Sequence, residues 1–214
     1  MASALQHRAH APVPGAVGAH WIVAAIVAVW FAAIVALGAA EAFVAGPNTP
    51  AFAVLAAIVV PPLLFAIAHT RSAGVRAWAA GLDLRVLTAM QAWRVIGLVF
   101  LAFYAFGMLP GLFAWPAGVG DAAVAVGAIA ALAALLREAP GARRAVFWLN
   151  IAGLADFVVA IATGVLTSNS AAGIFNDGTP RIELGALPMS LIPTLAVPFW
   201  IILHMISLRQ LRRR

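Results

Sequence analysis

The chain of 214 residues contains no cysteine and no lysine. Without a thiol it forms no disulfide and offers neither a thiolate nucleophile nor an iron–sulfur ligand. Without a side-chain amine it holds no retinal or pyridoxal Schiff base and builds no Walker phosphate loop. Charge of either sign is scarce, with 9% charged residues against 64% hydrophobic ones. A soluble chain of this length has no interior large enough for so much apolar surface, so composition indicates an integral membrane protein.

The basic residues are all arginine, 13 of them, and give a net charge of +6. They flank apolar runs and do not share one soluble face, so no nucleic-acid partner is expected and the lipid bilayer is. Apolar runs at 20–44, 51–70, 88–109, 117–136, 145–167 and 187–208 predict six transmembrane helices. Turn-forming residues fill the gaps, as GPNTP (46–50), PGLFAWPAG (110–118), REAPGARR (137–144) and the polar SNSAAGIFNDGTPRIELG (168–185). The expected fold is therefore all-α, a polytopic bundle of six spans.

Assigning the connections alternately to two sides collects Arg8, Arg71, Arg76, Arg85, Arg137, Arg143, Arg144, Arg209, Arg212, Arg213 and Arg214 on one side and leaves Arg181 on the other. The positive-inside rule then puts both termini in the cytoplasm, an N-in, C-in arrangement in the inner or plasma membrane. Residues 1–16 read as a flexible cytoplasmic tail and 17–214 as a single six-helix domain. The first run is also open to reading as a signal peptide cleaved near LGAAEA (37–42), but its length favours a retained helix. Between the second and third runs, RSAGVRAWAAGLDLR (71–85) sets Val75, Trp78, Ala79 and Leu82 on one stripe, which predicts a short amphipathic helix in the cytoplasmic headgroup layer.

Polar residues inside the runs are the candidate site. Gln91 and Arg94 lie in the third run, and Arg94 is about 9 Å from its inner end at helical rise. A guanidinium at that depth costs about 2.5–3.5 kcal/mol against lipid, so it should face the bundle and meet an acid. Asp156 in the fifth run lies near mid-depth, whereas Asp121 is counted one turn below the outer surface. The expectation is an Arg94–Asp156 pair, with Gln91 and Asn150 binding the remaining polar atoms. The spacing Asn150, Gly153, Asp156 and the small residues Ala152, Ala160 and Gly164 predict that the third and fifth runs touch. Pro188, Pro193 and Pro198 in the sixth run and Pro61 and Pro62 in the second free backbone carbonyls, as in the broken helices of transporters.

His69 and His204 fall at the inner ends of the second and sixth runs, in VVPPLLFAIAHTRS and TLAVPFWIILHMISLR. At one depth they can ligate a haem b, with Arg71, Arg76 or Arg94 near its propionates. GVGD (118–121) shares its spacing with the GxGD motif of intramembrane aspartyl proteases, but the partner aspartate there precedes the motif, and here Asp156 follows it at an expected 8–10 Å greater depth. No HExxH, phosphate loop or EF-hand is present, and although His204 is available as a base, Ser190 lies at the opposite end of the same run and Ser207 is interfacial.

Three functions follow as expectations. The leading one is transport of a small solute or ion, with or without coupling to protons, past Arg94 and Asp156, with no cofactor. The alternatives are a haem b redox carrier held by His69 and His204, and a non-catalytic accessory or scaffolding subunit. A homo-oligomer or a partner in a membrane complex suits a chain of about 22 kDa.

Overall fold

The computed structural model describes residues 16–46, 51–170, 172–179 and 182–212, with side chains from His20 onward. The tail expected over 1–16 therefore lies outside the described residues up to Gly15, as do Arg8, Arg181, Arg213 and Arg214. All regular structure among the described residues is helical. It comprises α1 (Ala16–Ala39), α2 (Phe52–Arg71), α3 (Ala73–Gly81), α4 (Leu84–Ala105), α5 (Gly111–Leu136), α6 (Ala142–Leu166) and α7 (Ile192–Leu211). All but α3 are long and apolar enough to cross a membrane.

Helix ends fall where the local chemistry satisfies orphan backbone groups. Ser72 is extended, closes α2, and accepts the Val75 amide at 3.3 Å to open α3. Asp83 opens α4 by accepting the Arg85 amide at 2.7 Å. The α5–α6 turn is tight because Gly141 takes φ of 83°, a left-handed backbone that only glycine adopts freely. At the same end, Arg76 donates to the Thr70 carbonyl at 2.9 Å and Gln210 donates to the Ala79 and Leu82 carbonyls at 2.8 and 2.9 Å. These bonds tie α2, α3 and α7 together. The stripe of α3 faces protein in the structure: Ala79 is buried, and Trp78 and Leu82 pack against a cluster that includes Leu203 and Ile206.

The packing centre is α5. Its buried residues include Ala114, Ala117, Gly118, Ala125, Ala128 and Ala131, small side chains that let α4 and α6 approach closely on either side. The helices of the third and fifth runs touch as expected, but through the Arg94 side chain; α5 lies between their backbones. Two stretches depart from α geometry, and the first of them carries Arg94. Met90–Gly97 of α4 is a 3-10 helix, and Ile192–Ala196 at the start of α7, where Pro193 removes a donor, is a π turn.

A candidate buried charge site

Arg94 is the largest fully buried side chain, with 0% of its surface exposed. Its Nη2 donates to Asp156 Oδ2, its Nε donates to Asp121 Oδ1 at 2.7 Å, and its Nη1 donates to the Gly153 carbonyl at 3.0 Å. The guanidinium carbon also lies 3.8 Å from the centroid of the Phe157 ring, so an apolar face covers the plane of the fork. Four groups on two helices, α5 and α6, thus enclose one cation carried by a third.

Asp121 is the participant that depth counting misplaces. PGLFAWPAG reads as a turn, but Gly111–Gly118 is the opening of α5 and Pro116 sits inside it. Those extra turns lower Asp121 to ten residues from the helix start, about 15 Å at helical rise. The 3-10 stretch moves Arg94 the other way, outward and toward Asp121, because it rises about 2.0 Å per residue against 1.5 Å in an α-helix. The depth gap expected between Asp121 and Asp156 is therefore absent, and one guanidinium reaches both.

Glycine makes room for each charged group. A Cβ on Gly97 would collide with the Asp121 carboxylate and one on Gly120 with Asp156 Oδ1, while one on Gly153 would lie 2.9 Å from Arg94 Nη1. Each of the helices that holds the charges has a notch for the side chain of a neighbour. The sequence carries this signal, since Gly97 is i+3 from Arg94, Gly120 adjoins Asp121, and Gly153 is three residues before Asp156.

His204 belongs to the same cluster. It is 0% exposed, its Nε2 is 3.4 Å from Arg94 Nη1, and its Nδ1 is 2.7 Å from Asn150 Oδ1. Asn150 Nδ2 donates to the Val146 carbonyl at 2.7 Å and to Ser207 Oγ at 2.9 Å, which leaves Oδ1 as its acceptor. His204 therefore carries its proton on Nδ1 and turns the lone pair of Nε2 toward Arg94. Asn150 meets Arg94 only through this ring. Gln91 is buried at 1% exposure, and its Oε1 has no hydrogen-bond partner in the structure, so it does not complete the guanidinium shell as expected.

His69 is bonded at Nδ1 by Arg209 Nη1, at 2.5 Å, five residues beyond His204 on α7. A haem between the two histidines requires one ring nitrogen of each for iron. In this structure both nitrogens of His204 are directed at protein groups.

A cavity of about 490 Å³ leads to the charges. Its lining includes Phe43, Phe52, Ser168 and Glu183, near the ends of helices and on connections, and Asp121, Phe157 and Trp200 from within α5, α6 and α7. It opens beside the long polar connection, at the end of the bundle opposite Arg76, Arg143 and Arg209. The arrangement can hold a proton or a small positive charge, because two carboxylates face one guanidinium. It lacks the directly shared proton of a proteolytic dyad, since Arg94 stands between the acids.

Fold and site define the class as an all-helical protein with six candidate membrane spans around a buried charge triad. Residues 51–212 match the model of the family described as Domain of unknown function (DUF8737), and the chain belongs to that family. No curated protein and no solved structure matches it.

Proposed function

We propose that the protein is a multi-pass membrane carrier that moves a small solute or ion through the bundle and couples that movement to protons at Arg94, Asp121 and Asp156. The observation that carries the reading is one fully buried guanidinium bonded to two carboxylates, one of which lines a crevice. Intramembrane charges that contact one another around a cavity are the usual mark of a transport path. On the other side of the triad, polar contacts continue from Arg94 through His204 and Asn150 to Ser207. An outer crevice and an inner polar chain thus meet at a group able to exchange partners.

On this reading the Arg-rich end faces the cytoplasm, both termini lie there, and the membrane is the inner or plasma membrane. The helix α3 lies along the inner headgroup layer. Protonation of either aspartate removes one ionic contact of Arg94 and lets the guanidinium turn toward the other, which opens the crevice floor. The 3-10 stretch that carries Arg94 and the π turn of α7 supply the non-α segments such a movement needs.

The test is reconstitution in liposomes with a trapped pH-sensitive dye and a panel of small amines, carboxylates and alkali cations. Wild type should show solute-dependent proton movement, and Asp156→Asn, checked for monodispersity, should show none. Proton movement with no panel member, or movement retained in Asp156→Asn, overturns the proposal.

A further inference from the structure

The crevice has a chemical bias that narrows what it can take. Its lining is mainly apolar and includes the rings of Phe100, Phe113 and Trp200. Phe100 and Phe113 pack edge to face with centroids 5.2 Å apart, so the wall presents both ring edge and ring face. The charged residues on the lining are Asp121 and Glu183, and no basic side chain lines it among the described residues. Arg94 does not reach the lumen, because it is enclosed behind the carboxylates and Phe157.

Charge counting points the same way. Asp121 and Asp156 in their ionised forms outnumber Arg94 by one, so the triad is one positive charge short of neutrality. A buried excess charge is costly unless a proton or a cation balances it. The volume, about 490 Å³, is within the range of about 300–1,000 Å³ typical of small-molecule sites.

We propose that this crevice binds hydrophobic monocations, with the apolar body among Phe100, Phe113 and Trp200 and the positive centre at Asp121. Aromatic faces attract a cation through their quadrupole, and attract it more strongly where water is excluded. The same surfaces give an anion of equal size no such attraction, and Asp121 repels it. The inference specifies the solute class of the transport reading above, but binding itself does not depend on transport.

Tetraphenylphosphonium and tetraphenylborate have nearly the same shape and opposite charge, so together they separate charge from greasiness. Equilibrium dialysis against the full chain in lipid nanodiscs, corrected with empty nanodiscs, should show saturable binding of tetraphenylphosphonium. Tetraphenylborate should bind at least about tenfold more weakly. Asp121→Asn should weaken the cation about tenfold, and Ile192→Trp, which fills the crevice and leaves the triad untouched, should abolish its binding. Absence of saturable cation binding by wild type, equal binding of the two ions, or wild-type binding by Ile192→Trp overturns the assignment. Equal binding identifies the crevice as a plain apolar recess that lipid fills. Proton movement with small carboxylates or alkali cations, in a protein that ignores tetraphenylphosphonium, retains the transport reading and removes this solute class. Charge-selective binding with no proton movement does the reverse.

Discussion

The helices α1 and α5 are similar in composition and opposite in circumstance. They span 24 and 26 residues, and both are rich in alanine and valine. Yet 11% of the most apolar window of α1 is buried inside the protein, against 28% for α5. Trp21, Ile22, Ile26 and Val29 of α1 are exposed, whereas α5 buries Asp121 and a file of alanines. The family match covers α5 and begins after α1. Apolar length equips a helix to enter a bilayer, but lipid is as apolar as leucine and gives that helix no fixed neighbour. Small residues that allow close approach, and a polar group that finds its partner only inside, supply the neighbour.

The comparison breaks most readily at Arg94. Replacement by leucine leaves two facing carboxylates without their cation and should cost about 3–5 kcal/mol. Unfolding by SDS in mixed micelles measures this, and adding Asp121→Asn and Asp156→Asn to Arg94→Leu should restore most of the loss. An Arg94→Leu protein as stable as wild type removes the central role given to the cluster. A smaller loss, about 1–3 kcal/mol, is expected for Gly120→Ala, whose methyl group displaces the Asp156 carboxylate. Gly127→Ala on the same helix meets only Leu149 Cδ1, at 3.3 Å, and should lose much less. Equal losses at the two glycines would assign the effect to helix packing and not to the charges.

Asn150→Leu orphans the Nδ1–H of His204 in a site without water access, at a cost of about 1–3 kcal/mol. The same titration, together with the imidazole nitrogen shifts by NMR, checks both the loss and the tautomer. The least effect belongs to α1. Changing Trp21, Ile22 and Ile26 together to leucine should shift stability by about 0.5 kcal/mol or less, as for substitutions that touch no partner. A larger loss would mean that α1 is held as firmly as α5.

Legibility in the sequence divides along the same line. Six long apolar helices follow from hydropathy, and the joining of Arg94 to Asp156 follows from helical spacing and the cost of a bare guanidinium. Asp121 is legible as a candidate for the polar site and His204 as a candidate haem ligand, but their contacts with Arg94 are not, because counting residues from an assumed boundary sets each at another depth. On α5 the boundary differs, since Pro116 and its glycines resemble turn chemistry but lie inside a helix that already begins at Gly111. On α7 the histidine lies near the Arg-rich end in sequence, yet its ring turns inward to Asn150. Side-chain direction is set by packing, which hydropathy does not encode.

The spacing of the triad along the chain has a consequence for biogenesis. Arg94 precedes Asp121 by 27 residues and Asp156 by 62, so the cation leaves the ribosome well before either of its counter-ions. At a synthesis rate of about 5–20 residues per second, the first acid follows after about 1–5 s and the second after about 3–12 s. During that interval α4 has a naked positive charge, and its release into lipid is disfavoured until α5 and then α6 emerge to neutralise it. On the membrane reading proposed above, the order of synthesis would hold α4 back from lipid until its acids emerge, so that they time the assembly of the bundle.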